Sequence, residues 1–217
     1  MKLALGTVQF GSPYGVANSQ GQASEEEARM ILDTAWGAGL SMLDTAIAYG
    51  DSEARLGQIG ISQWDVVSKL TAVPDSCSDV RGWVLKSVES SLERLHVSQL
   101  YGFLLHRPDQ LLSRSGQSIF QALLHLKEEG VVKKIGISIY DPAELDILSH
   151  QFNFDIVQAP FNPIDHRLIE SGWMERLSQQ GTEIHVRSVF LQGLLLMPQG
   201  SRPKKFDRWQ SIWRCWQ

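Results

Sequence analysis

Cysteine is almost absent. The two thiols, Cys77 and Cys215, lie far apart and make neither a disulfide framework nor a zinc pattern. That scarcity fits a reducing compartment, so the expected location is the cytoplasm, and no bound metal is expected. Basic runs are missing too. Nothing longer than "KK" occurs, and with a formal charge of −4 and a pI near 5.9 the chain offers phosphate backbones no long-range attraction. Nucleic acid is therefore not an expected partner. Thr7 and Gln9 interrupt "MKLALGTVQFG" before a signal-peptide core can form, and the longest late apolar run, "VFLQGLLLM", is too short to cross a bilayer. No membrane association is expected. No linker, low-complexity tract or repeat divides the 217 residues, which read as a single domain over 1–217.

What the chain has is alternation. At 43% hydrophobic residues it can bury an ordinary core, and short β-rich runs alternate with amphipathic helical stretches throughout. The expected strands are "LALGTVQFG", "SMLDTAIAYG", "WDVVSKL", "LYGFLLHR", "KKIGISIY", "FDIVQAPFN" and "EIHVRSVFLQG". Helix signals fill the gaps. Ser24 and Glu27 form a capping box ahead of "EEEARMILDTAWGAG", and "DPAEL" offers an Asp141 cap. Val80, Val84, Val88, Leu92 and Leu95 share one helical face. A dinucleotide-binding open sheet would carry G-x-G-x-x-G after its first strand, and "LGTVQFGSPYG" does not; a Walker loop is also missing. Polar residues stand instead at the C-terminal ends of most strands. That is the signature of a TIM (β/α)8-type barrel, whose reacting groups gather on one rim.

Four ionisable residues close consecutive runs: Asp44 and Tyr49 in "LDTAIAYG", Lys69 in "VSKL" and His106 in "LLHRP". Each alone has an ordinary structural reading: an acid capping a turn, a lysine reaching water, a satisfied histidine, an aromatic at the lip. Together they face one another across a barrel mouth. A phenol is a poor acid at pH 7 unless a cation favours its anion. Lys69 is expected to supply that cation, Asp44 to hold Lys69 charged, and His106 to orient a carbonyl oxygen. The chemistry this suits is carbonyl reduction or its reverse, with the hydride coming from a cofactor.

With the opening "LGTVQFG" and the later "GIS", "VQAPFN" and "RSVFLQG", these motifs resemble the aldo-keto reductase superfamily, in order over essentially the whole chain. The resemblance implies an NADPH-dependent barrel that reduces a small aldehyde or ketone, with NADH as the alternative cofactor. It maps Asp44, Tyr49, Lys69 and His106 onto the catalytic tetrad, with Tyr49 as the acid. It also implies that Asp44 stands beside the cofactor and that Ser138 and Gln158 bond the nicotinamide carboxamide. Arg187 stands where an aromatic often stacks on that ring. Ser188, Phe190, Gln192 and Gly193 would line the pyrophosphate. Ile139 departs from the pattern, standing where a polar carboxamide contact is common.

Length is the larger departure, since such barrels average about 250 residues. The chain ends at Gln217, so about seven βα units are expected, the eighth missing, with Phe206, Trp209, Trp213 and Trp216 forming a stripe packed on the barrel. The favoured reading is a fragment or disrupted form of a longer reductase; self-association through open barrel edges is the other. Two rival functions stay open. One is an aldolase using Lys69 as a Schiff-base nucleophile; the other is a truncated homologue acting only as a binding or partner protein.

Overall fold

The computed structural model of the chain describes residues 3–216. Seven parallel strands form one sheet in sequence order: β1 (Leu5–Gly6), β2 (Met42–Asp44), β3 (Asp65–Leu70), β4 (Leu100–Leu105), β5 (Val132–Ser138), β6 (Ile156–Pro160) and β7 (Glu183–Arg187). The helices are α1 (Val8–Gly11), α2 (Glu25–Gly37), α3 (Ser52–Ile59), α4 (Val80–Leu95), α5 (Gly116–Glu128), α6 (Ala143–Leu148), α7 (Arg167–Glu170), α8 (Trp173–Gln179) and α9 (Gln210–Trp216). Each strand pairs with the next in the chain, and β1 and β7 are the two edges. The result is a partial (β/α)8 barrel, a curled sheet with helices over its outer face.

Strand alternation divides the apolar residues into two layers. Val66, Leu70, Phe103, Leu105, Ile135 and Ile137 point outward, where they meet Val84, Val88 and Leu95 of α4 and Ile119 and Leu123 of α5. Val67, Leu104 and Ile156 fill the barrel interior. The inward parity continues upward, so Lys69, which is paired in register with Leu104, belongs to the interior set. The helix caps follow local chemistry. Ser24 and Glu27 form both halves of a capping box on α2, and Asp79 accepts the Gly82 N–H at the start of α4.

Three expected strands are shorter than their sequence runs. β1 ends at Gly6, and "VQFG" turns into α1, burying Phe10 in the core. β2 ends at Asp44, and a turn with the Tyr49 N–H donating to the Ala46 carbonyl brings Tyr49 back over the rim. β7 ends at Arg187. The following "SVFLQG" leaves the sheet because Ser188, Leu191, Gln192 and Gly193 all adopt positive φ. The aromatic stripe is also placed differently from expectation. Trp213, with Phe206 and Trp209 against it, packs on Leu194 and Leu195 of the post-β7 segment and on Val16, forming a cluster separate from the main core. The side chain of Trp216 lies outside the described residues.

Two glycines fix the height of Tyr49. A Cβ on Gly11 would lie 1.7 Å from the Tyr49 carbonyl oxygen, and one on Gly50, at φ +57°, would lie 2.1 Å from the Gly11 carbonyl oxygen. The two backbones touch where side chains cannot fit. Gly11→Ala is therefore expected to destabilise by at least the upper end of the roughly 1–3 kcal/mol typical of overpacking. Gly37→Ala, whose added methyl meets nothing within 4 Å, should be neutral or stabilising in the same urea titration. Equal midpoints for the two variants would contradict this packing.

Candidate active site

At the C-terminal rim the barrel interior holds a charge. Lys69, with 1% of its side chain exposed, donates to both Asp44 carboxylate oxygens at 2.8 Å and to the Thr45 carbonyl at 2.9 Å. Those three contacts account for the ammonium's three donors. Burial pushes the Lys69 pKa down, and the Asp44 carboxylate opposes that shift. The chain of bonds continues across the barrel. Gln158 Nε2 donates to Asp44 Oδ1 at 2.7 Å, and Ser138 Oγ donates to Gln158 Oε1 at 3.1 Å. Four strands, β2, β3, β5 and β6, are thus tied at one level by side chains.

Tyr49 and His106 complete the group. Their rings meet edge to face with centroids 5.9 Å apart, and Lys69 Nζ lies 5.2 Å from the centre of the Tyr49 ring. The structure brings together all four residues expected from the sequence. It reverses the expected electrostatics, however. Burial and, next, the Asp44 charge push the Tyr49 pKa well above the ordinary phenol value. Asp44, the partner of the ammonium that was expected to acidify the phenol, acts on the phenol in the opposite sense. The phenol is thereby held in its protonated form. Burial, followed by the charges of Lys69 and Arg187, holds the His106 pKa below its usual value, so the imidazole is neutral near pH 7.

The remaining expected residues line the β5–β7 side of the rim. Arg187 Nη2 donates to the Ile139 carbonyl at 2.9 Å, and its guanidinium stacks 4.4 Å from the centre of the Tyr140 ring. Ile139 itself is a core residue, 0% exposed. In the segment after Arg187, the N–H groups of Val189, Phe190, Gln192 and Gly193 make no described hydrogen bond, and Ser188 uses its carbonyl to accept from Leu191. This turn therefore presents free backbone donors, the chemistry of an anion site. Phe190 is 53% exposed and lines a cavity of about 420 Å³ with Phe161, Pro163 and Val189. Gln192 and Gly193 face the first loop: Gln192 Nε2 donates to the Tyr14 hydroxyl at 2.8 Å, and the Gln192 carbonyl accepts from the Ala17 N–H.

With this geometry in hand, the comparisons decide the family. The Aldo/keto reductase family model matches residues 2–212. The chain belongs to the aldo/keto reductase family. It is 27% identical to the oxidoreductase sirO of Leptosphaeria maculans over 96% of its own length, and it spans 65% of that curated relative. An aldo-keto reductase from Pseudomonas aeruginosa is similar at a TM-score of 0.70 and 29% identity, with 85% of this chain and 72% of that one covered. A Bombyx mori aldo-keto reductase in complex with NADP shares the fold at a TM-score of 0.66 and 20% identity, covering 96% of this chain and 72% of the other.

Several supports of this aldo/keto reductase rim were missed in the sequence. Ser52 donates to the Thr7 carbonyl at 2.9 Å and lies 3.3 Å from the Thr45 hydroxyl, a fully buried hydroxyl cluster joining β1, β2 and α3 under Tyr49. Glu53, also buried, accepts from Ser68 and Ser91 at 2.6 and 2.7 Å and from Arg94 Nε at 2.9 Å, locking α3 and α4 to β3. Small hydroxyls carry no periodic signal, and Glu53 is one polar residue among several in the mixed helix "SEARLGQI".

Removing one partner of the buried pair should cost unequally. Asp44→Asn leaves Lys69 charged and buried, and is expected to lose about 3 kcal/mol or more near pH 7. Lys69→Met leaves a carboxylate that is 20% exposed and still bonded to Gln158, and should lose less. The pH dependence has a definite sign. A lysine whose folded pKa lies below its unfolded value destabilises the fold as pH falls through that interval, because the unfolded chain takes up the proton first. Asp44→Asn should lower the Lys69 pKa further, so this variant regains stability between pH 7 and 10 more steeply than the wild type. Parallel stability curves would contradict the pairing.

Proposed function

We propose that this chain is a reductase of small aldehydes or ketones, with Tyr49 giving the proton to the carbonyl oxygen. The observation that carries the reading is the rim group itself: the Asp44–Lys69 pair with a phenol and an imidazole meeting edge to face beside it. The chain spans 65% of the curated relative sirO, so the activity of the whole protein rests on this proposal.

The residues present fit a nicotinamide dinucleotide. Gln158 keeps one amide N–H and Ser138 its oxygen lone pairs for a carboxamide, and the Ser188–Gly193 turn offers unpaired N–H groups to a pyrophosphate. The dinucleotide, when bound, supplies the hydride. NADPH is the preferred assignment, by likeness to the family, with NADH as the alternative. His106 holds the carbonyl oxygen through a ring N–H and sets its direction toward Tyr49. Tyr49 keeps its proton until negative charge develops on that oxygen, because its raised pKa prevents loss to solvent. Lys69 and Asp44 fix the floor beneath the phenol. Arg187, whose charge favours the phenolate, eases the transfer when the proton leaves.

Mixing the protein with NADPH and a panel of small aldehydes should produce loss of the nicotinamide absorbance. Tyr49→Phe should lower kcat by roughly 100-fold or more while NADPH binding persists. Wild-type reduction should show no alkaline fall between pH 7 and 9, since Tyr49 remains protonated there. Activity that survives Tyr49→Phe would remove the proposed donor.

A further inference from the structure

The rim after β4 and after β6 carries arginines that bring their own carboxylates. Arg107 pairs with Asp109 at 3.0 Å, and Arg167 pairs with Asp141 at 2.6 Å and with Asp165 at 2.7 Å. Arg187, at the end of β7, has no such acid among the described residues. Its side chain contacts the Ile139 carbonyl, bonded through Nη2 at 2.9 Å, and the Tyr140 ring, whose centre lies 4.4 Å from the guanidinium carbon.

Strand register puts this guanidinium at the mouth of the barrel. Gln158, which bonds Asp44 across the interior, is paired with His185, and Pro160 is paired with Arg187. Arg187 therefore lies on the interior face, one step above Gln158. From there its charge acts on Tyr49, Lys69 and His106 alike. Tyr140 covers one face of the guanidinium, and Arg167 fixes the loop by donating to the Tyr140 carbonyl at 3.1 Å. The N–H groups that Ile139 does not use are left without a protein acceptor. A neutral dihydronicotinamide ring can be stacked by an aromatic as well as by a guanidinium, and it gives a cation no counter-charge. A half-buried fork of free N–H groups is complementary instead to a planar carboxylate.

We propose that Arg187 binds a carboxylate carried by the carbonyl substrate, which makes the substrate class oxo acids rather than neutral aldehydes or ketones. The proposal rests on the reading of the chain as a carbonyl reductase and names the substrate of that same site. The chemistry is the reduction proposed above, and its product is a hydroxy acid. With its charge neutralised by the carboxylate, Arg187 favours the phenolate less, so the gain falls on KM and not on kcat.

The test offers glyoxylate, succinic semialdehyde and para-carboxybenzaldehyde, each beside its neutral amide, to wild type, Arg187→Met and Arg187→Lys with NADPH. Benzoate and benzamide, which cannot react, are titrated calorimetrically with and without NADPH. In wild type the acid should exceed its amide in kcat/KM by roughly tenfold or more in at least one pair, and the ratio should shrink as salt is raised. Arg187→Met should bring that ratio to within about twofold of unity, whatever it does to the rate itself, and Arg187→Lys should keep part of it. Benzoate should bind wild type more tightly than benzamide does, and Arg187→Met should lose the difference. Should Arg187→Met fail to fold, the wild-type ratio and Arg187→Lys decide. Acids and amides reduced within about twofold of each other in every pair overturn the proposal and leave the reductase reading intact. An acid preference that persists in Arg187→Met also overturns it, since another group would then be the anchor. If benzoate binds through Arg187 but no carbonyl is reduced, the carboxylate site stands and the reductase reading fails. If wild type reduces none of the probes and binds no benzoate, both fall.

Discussion

Keeping a lysine ammonium charged with 1% of its side chain exposed requires that every one of its donors meet a fixed acceptor, and the upper barrel is arranged around that requirement. Asp44 and the Thr45 carbonyl come from the end of β2, and Gln158 reaches from β6 to bond the same carboxylate. Ser138 on β5 then fixes the Gln158 amide. These bonds run across the barrel interior, at right angles to the strand ladders, and they set the distance between β2 and β6 at the rim. In a sheet whose first and last described strands do not pair with each other, such crosslinks hold the curvature that a closed barrel obtains from its own hydrogen bonds.

The same pair sets the electrostatics. A lone ammonium beneath Tyr49 would favour phenolate; with a carboxylate 2.8 Å from it, burial and, next, the carboxylate charge dominate. Tyr49 is therefore held protonated, and His106 is held neutral by burial and, next, by the charges of Lys69 and Arg187. Arg187 is the charge in this neighbourhood that Asp44 does not pair, since it spends its contacts on the Ile139 carbonyl and the Tyr140 ring. The backbone contributes as much as the charges do. Gly11 and Gly50 allow the first loop and the β2 turn to touch, and that contact fixes where the phenol stands.

Much of this was legible before the coordinates. Six of the seven strands fall within their expected runs and β5 begins one residue ahead of its run, because parallel strands covered on both faces leave continuous apolar stretches that end at polar rim residues. The α2 capping box was visible as Ser24 and Glu27, a purely local signal. Asp44, Lys69 and His106 were legible as ionisable groups closing hydrophobic runs. What the sequence could not show was the balance at the phenol: the Asp44 carboxylate was expected to serve Lys69, and its effect on Tyr49 needed the folded geometry. Nor could hydrophobicity mark where strands stop. "TVQFG" and "SVFLQG" read as β-rich, but the first turns into α1 so that Phe10 can enter the core, and the second takes up left-handed backbone. The aromatic stripe was seen as helical, yet its partner was misjudged, since Trp213 packs on the rim segment that contains Leu194. Glu53 and the Thr7–Thr45–Ser52 hydroxyls went unread because isolated polar residues follow no period.

The central claim is that burial and, next, the charge of Asp44 hold Tyr49 protonated although Lys69 lies beside it. Its most direct measurement is a titration of tyrosines labelled at the phenol carbon, followed by NMR, with Tyr49 assigned from the Tyr49→Phe spectrum. The account requires the Tyr49 signal to stay in its neutral position beyond pH 10, after exposed tyrosines have begun to ionise. A Tyr49 signal that moves to the phenolate position by pH 8 would show that Lys69 acts on it as a free cation, and would contradict the account.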